Sequence, residues 1–472
     1  MFEAVRPSRL QAPARPLLTA VMTLLAASTL GVVALLAMGR LGIIDAIVFV
    51  AAPWMLLAAA FRPDWLLLAL IAMPASFTAA IQTQRVLPMI AVALAALLVT
   101  RPSFSVGWRT GLAALFAVNV AGYLFVADVG QFATEVNRGI MLNLTYYILL
   151  ALLAFNLAKL GELDGERLGS ALVIGVLSTL VVGLAGYGGG WFESGQGIIT
   201  RTYLNPMAAA ALGVCVARVF EDRSASQGYL GNLLLTALLL FLTIVSLSRA
   251  TWIAATITIA LLAFRSGRRG YVLILMAVIV LALLAPTVRQ EISRSESGDI
   301  FAQARTGAIT TGRWKLWTEL WQRAEPALPW GHGFGYVWSL SSEDLFGSPG
   351  EFQSEESGVV PPHNDFVYLF VEFGIPGVLL LLLFWVQLFR AQGLVAGSTA
   401  PLIARSGSLL LGALVTGLIF ALFDDVFAVR PIAERFFPVA GFIFGLAEME
   451  RARRRSQPVP VVGHSRSAAW RR

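Results

Sequence analysis

Cysteine is almost missing from this chain: Cys215 is the only one among 472 residues, so no internal disulfide can form. Histidine is nearly as scarce. His332, His363 and His464 are the full set, and no His/Cys group has the spacing of a metal site. Charge is thin as well. Asp, Glu, Lys and Arg make up 13% of the chain against 57% hydrophobic residues, which excludes a water-soluble globule. There are no tandem repeats and no low-complexity domain. What fills the chain instead is apolar runs long enough to cross about 30 Å of hydrocarbon.

Fourteen such runs can be read: 17–38, 41–60, 65–80, 87–100, 110–127, 140–158, 168–187, 203–218, 229–247, 250–264, 271–287, 366–389, 407–423 and 436–448. Several are short, which keeps twelve spans with a re-entrant or half-spanning pair as the alternative. The expected fold class is an all-α polytopic membrane protein of about 12–14 transmembrane helices. Four regions follow. Residues 1–287 hold the first eleven helices, and 288–365 form a long outer loop. Residues 366–450 hold the remaining helices, and 451–472 an Arg- and Pro-rich tail expected to be disordered. The Arg- and Pro-bearing residues 1–16 lead into the first run without a small-residue cleavage site, so that span is expected to be retained.

The net charge is +7, with a pI near 9.9. In a soluble chain this excess would suggest nucleic acid; here topology explains it. With the N-terminus inside, most of the 35 Lys and Arg fall on the inner side, among them Arg62, Arg167, Arg218, Arg265, Arg405 and the tail arginines. That asymmetry supports both termini being cytoplasmic, and the charge excess then calls for no nucleic acid among the partners. Arg201 and Arg249, at the outer mouths of their spans, run against the trend. An isolated outer arginine usually snorkels or pairs with a carboxylate. Several converging on one cavity would suit a diphosphate.

The long loop carries two patterned stretches. Trp314, Trp317, Leu320 and Trp321 fall at i, i+3, i+6 and i+7, one face of an amphipathic helix that either lies on the outer leaflet or packs on the bundle. Both positions bring Arg313 near lipid headgroups. Pro329-Trp330-Gly331-His332-Gly333-Phe334-Gly335 follows. Its glycines can turn backbone N–H groups toward an anion, though tight turns are the commoner use.

The loop ends in Pro361-Pro362-His363-Asn364-Asp365. Two prolines cannot continue a helix, and Asn364 or Asp365 can cap one, so His363 sits at a helix N-terminus on the outer rim. An imidazole there can take a proton from a hydroxyl, as a general base must; the plain alternative is an interfacial histidine with no chemistry. Asp365, Tyr368 and Glu372 share a stripe running into the membrane. Glu372, about two turns deep, needs a partner, for which an outer arginine is the simplest candidate. Asp424-Asp425 and Asp45 are the only hints of a cation site, and consecutive carboxylates rarely face one ion.

These stretches resemble the O-antigen ligase and polymerase family of polytopic bacterial glycosyltransferases. His363-Asn364-Asp365 through Glu372-Phe373-Gly374-Ile375-Pro376-Gly377 is similar to its His-Asn…Glu-x-Gly-x-x-Gly signature. Gly312-Arg313-Trp314 through Trp330-Gly331-His332-Gly333 resembles its Arg…Trp…Gly-x-Gly loop, and Ser246 to Trp252 its Ser-x-Ser-Arg segment. The Arg201 to Pro206 stretch resembles the segment before it but lacks a further Asn after Pro206. The resemblance implies a GT-C-like fold whose active site faces the periplasm. The donor would be a polyprenyl (undecaprenyl) diphosphate glycan in the bilayer, and the acceptor lipid A–core or another glycan. His363 would be the base, with Arg201, Arg249 and, more weakly, Arg313 holding the diphosphate. Asn364, Asp365, Tyr368 and Glu372 would support them, with neither metal nor cofactor. Ligase-type transfer is expected, polymerase activity is the near alternative, and a transporter of lipid-linked glycan the reading from a different class. The polar residues gather at the rim rather than the midplane, which favours chemistry over transport.

Overall fold

The computed structural model describes Met55, Asp344, Val426 and residues 61–74, 86–100, 111–127, 131–187, 205–221, 227–245, 248–267, 313–341, 362–423 and 430–457. Among these are twelve α-helices and no strand. They are α1 (Pro63–Ala72), α2 (Val86–Val99), α3 (Leu112–Leu124), α4 (Gln131–Lys159), α5 (Gly165–Tyr187), α6 (Asn205–Glu221), α7 (Gln227–Val245), α8 (Arg249–Arg265), α9 (Arg313–Ala324), α10 (Asp365–Ala396), α11 (Pro401–Phe423) and α12 (Arg430–Ser456). All but α9 coincide with apolar runs expected to span. The expected spans 17–38 and 271–287, and nearly all of 41–60, lie outside the described residues.

Three stretches, Arg138–Lys159 of α4, α10 and α11, are long and apolar enough to cross a membrane. The helices are apolar on their outward faces as well as inside. Along α7, Leu230, Leu233, Leu234, Leu238, Phe241 and Ile244 are all exposed. Such a stripe would be an aggregation surface in water and is an ordinary face in lipid. The described residues are helical with no strand, and the chain is a polytopic membrane protein.

The interior is built around α4, α6, α10, α11 and α12. The pair α4–α12 packs most closely, because α12 offers glycine where the backbones cross: a Cβ at Gly441 would collide with the Ala151 carbonyl. Small residues at such crossings let dispersion contacts accumulate where no hydrophobic drive acts between helices.

Helix ends sort into two groups. At one end Arg62 and Arg167 both pair with Asp64, Arg218 and Arg405 both pair with Glu166, and Arg265 donates to the Ala396 carbonyl. At the other end Arg313 of α9 and Asn364 reach the C-terminus of α11, and residues 125–127 pair with Phe334 of the loop that grips α10. These five arginines, all assigned to the inner side from the sequence, lie at one end of the bundle.

One expectation is corrected. The tail does not lose structure at Arg451, because α12 runs on to Ser456. Arg453 and Arg454 fold back onto the buried carboxylate of Glu450, which also accepts from Ser398, and these bonds hold the last turns together. The expected helix over 366–389 is present and carries a break. Helix α10 breaks at Gly374 (φ 62°, ψ −148°), a conformation open almost only to glycine.

Candidate functional site

The rim of α10 is fixed by three adjacent residues. Asn364 caps the helix: its side-chain oxygen accepts from the amides of Phe366 and Val367 at 2.9 and 3.0 Å. Its side-chain nitrogen donates to the Leu422 carbonyl at 2.9 Å, tying the cap to the end of α11. Asp365, buried, accepts from the Val426 amide at 3.2 Å. His363 precedes the cap, half-buried, with φ at +50°. Left-handed backbone is uncommon for a residue with a side chain, and histidine is among the types that tolerate it best. Its strain marks a position the surroundings over-determine. One of those surroundings is Trp317 of α9, whose indole N–H donates to the Pro362 carbonyl at 2.8 Å.

The break at Gly374 explains the glycine loop. In an unbroken helix Val371 O would accept from Ile375 N, and Glu372 O from residue 376. Residue 376 is a proline and has no N–H. The loop supplies what is missing: His332 N donates to Val371 O at 3.0 Å and Gly333 N to Glu372 O at 2.8 Å. The freed Ile375 N donates to Pro329 O at 3.0 Å. This closeness requires bare backbone, since a Cβ on Gly331 would lie 2.5 Å from both Glu372 O and Gly374 N. Phe334 stacks on Phe373, and Trp338 Nε1 donates to the Tyr368 hydroxyl at 3.3 Å. The other edge of the loop pairs with the end of α3, Phe334 N donating to Phe125 O at 2.6 Å.

Glu372 is fully buried, and its partners are backbone. Gly335 N donates to one carboxyl oxygen, and Val337 N to the other at 2.9 Å. Among the described residues no arginine, the expected partner, fills this role; the anion that the glycine loop faces is the protein's own carboxylate. Further along, Asp344 accepts from the hydroxyl and amide of Ser341, and these bonds hold its carboxyl below the ordinary range.

Helix α9 packs on the outer part of α10 through Leu316, Leu320 and Ala324. The expected aromatic face is only partly the buried one. Leu320 is buried and Trp317 half-buried, while Trp314 and Trp321 stay exposed, although Trp321 stacks on Phe370 at 4.1 Å between centroids. Arg313, half-buried, donates to the Phe423 carbonyl, next to the carbonyl that takes Asn364. Arg313 and Asn364, the residue that follows His363, thus meet at one spot, the C-terminus of α11. Arg249 opens α8, which lies against α11 with Arg265 at the opposite end, so Arg249 belongs to the His363 end of the bundle. Arg201, Asp45, Asp424 and Asp425 lie outside the described residues. Among the described residues no three or more His, Cys, Asp or Glu gather as they would around a metal.

Sequence reasoning passed over Arg435. It is buried in α12 and donates to the Met73 carbonyl, while the Ser178 hydroxyl donates to Ala72 O at 3.0 Å. Together they take the carbonyls left when α1 stops, after 10 residues and about 15 Å, short of crossing a bilayer. Pro74 marked that stop; nothing in the sequence marked a cap some 360 residues away. Arg435 also lines a small cavity with Pro206 and Met207, at the start of α6, and Thr416 of α11.

The bundle and its polar rim define a membrane protein with its distinctive residues at one end. Residues 234–382 match the family model described as O-Antigen ligase. The match covers less than half of the chain but contains Arg249, Arg313 and the whole stretch from His363 to Glu372; over that stretch the chain is similar to the O-antigen ligase family. Arg201 precedes the matched stretch. No curated protein matches the chain.

Proposed function

We propose that the protein is a membrane glycosyltransferase of the ligase type. It would move a glycan from a polyprenyl diphosphate in the inner membrane to a hydroxyl of lipid A–core on the periplasmic face. The observation that carries the reading is the rim of α10: a histidine held in left-handed backbone before the helix cap, with Arg313 brought to the same end of α11, inside the segment that matches the family. His363 takes the proton of the acceptor hydroxyl. The hydroxyl oxygen bonds to the anomeric carbon, and the bond from that carbon to the diphosphate breaks, its electron pair leaving with the diphosphate. Arg249 and Arg201, with the donors Arg313 keeps beyond its bond to Phe423, neutralise the leaving charge without a metal. Asn364 and Asp365 hold the histidine's backbone through α11 and Val426, and Glu372 and Tyr368 hold the loop that flanks it.

The test is transfer by purified protein in detergent with EDTA, using a polyprenyl-diphosphate glycan with and without lipid A–core. Glycan on lipid A–core from the wild type and none from His363→Ala supports the proposal. Longer lipid-linked glycan made without acceptor lipid assigns a polymerase. Loss of all transfer in EDTA, restored by a divalent cation, removes the metal-free mechanism.

A further inference from the structure

Helix α9 has three sectors when its residues are set about 100° apart around the axis. Leu316, Leu320 and Ala324 face the bundle. Lys315, Glu319 and Gln322 form a polar edge opposite. Between them lies a third sector with Trp314 and Trp321, 63% and 55% exposed. A helix with packed, aromatic and polar sectors in that angular order has one natural setting: beside a bundle, with its aromatic edge down in lipid and its polar edge in water.

The loop that follows continues the aromatic edge. Trp330 is 74% exposed and Leu328 is exposed as well. Pro329 between them is hydrogen-bonded to Ile375, the top residue of an exposed apolar stripe, Ile375, Leu379, Leu382 and Val386, that runs down α10. Helix α10 is long and apolar enough to span, so this stripe faces lipid. Trp330 stands where the stripe meets the surface, the depth at which an indole, apolar with one polar N–H, is most stable.

We infer that Trp314, Trp321 and Trp330, with Leu328, seat the loop in the headgroup region of the outer leaflet. The seat is coupled to the site, since Trp317 of the same helix holds the Pro362 carbonyl immediately before His363. The depth of these indoles therefore sets the height of His363 above the leaflet. The inference does not rest on the proposed transfer reaction, and its test needs no activity.

The chain's single cysteine makes the test direct. In a full-length Cys215→Ser background, nitroxide labels are placed at Trp314→Cys, Trp330→Cys and, as a water-facing control on the same helix, Gln322→Cys. The protein is reconstituted in vesicles of phosphatidylethanolamine and phosphatidylglycerol, and relaxation by oxygen is compared with relaxation by a water-soluble nickel chelate. The expected result is a shift toward oxygen and away from nickel at 314 and 330 relative to 322. Equal nickel exposure at all three positions overturns the inference. So does exposure at 314 and 330 that disappears only when lipid-linked glycan is added, which would make the tryptophans a sugar surface. A second measurement leaves the cysteine in place. In vesicles of lipids brominated near the headgroup end of the acyl chain, Trp314→Phe/Trp330→Phe should lose quenchable fluorescence; loss of unquenched emission alone refutes the seating.

Discussion

Replacing Glu372 by Gln keeps the shape of the side chain and removes one acceptor. Both carboxyl oxygens now accept backbone N–H groups, from Gly335 and Val337, with no water able to reach them. The amide can satisfy one of these and must turn its own N–H₂ toward the other, leaving two donors face to face. A hydrogen bond to a charged group contributes about 1.5–3 kcal/mol, and a buried donor without an acceptor costs about 1–3 kcal/mol. A loss of about 3 kcal/mol in the hold on the loop follows, roughly two decades in its open population. The readout is hydrogen exchange in detergent, followed on peptides covering 331–340 and, as an internal reference, on α4 and α12. Exchange should accelerate about a hundredfold in the loop and stay unchanged in the reference helices. Wild-type protection of Gly335 and Val337 in Glu372→Gln would refute the reasoning, because it would mean that the carboxylate does not hold those amides.

Four further outcomes are expected. His363→Asn, which tolerates left-handed backbone, should keep the wild-type melting temperature yet lose transfer; retained transfer would remove the base role. Gly331→Ala, forced against Glu372 O and Gly374 N at positive φ, should destabilise by about 2 kcal/mol or more, read as a lower melting temperature. Asn364→Ala, which strips the cap and the tie to Leu422, should cost about 1–2 kcal/mol in the same assay. Beyond the apolar stretch of α12, hydrogen bonds from Arg453 lead the forces that hold Glu450 down to about 2, with Arg454 and Ser398 adding to them against the opposing effect of burial. Its folded value lies below its ordinary one, so its contribution is full above the ordinary carboxylate range and is lost as pH falls through that range toward 2. Acid titration of the melting temperature should show this loss, and Glu450→Gln should flatten it.

The positions of most helices were legible because apolar runs report burial in lipid or protein alike. That same indifference is why the buried face of α9 was not. Trp317 and Leu316 are both apolar, and only the tertiary neighbour decides which meets α10 and which meets its surroundings. The cap at Asn364 could be read because it acts within three residues. Glu372 was legible as a residue needing a partner, but the partner comes from a loop some 35 residues earlier and is backbone, which carries no side-chain signature. Proline at 376 held the clue: it denies Glu372 O its helical donor, so something else had to supply one.

The break at Gly374 makes α10 two rods rather than one. The upper rod, from Asp365 to Phe373, is clamped by the loop, by α11 and by Val426, and carries His363 at its tip. The lower rod presents its stripe to the acyl chains. A joint between them means that the lower rod can follow changes in bilayer thickness or tilt while the upper one keeps its register. The end that carries His363 thus takes its height from the leaflet surface and not from the thickness of the hydrocarbon below it.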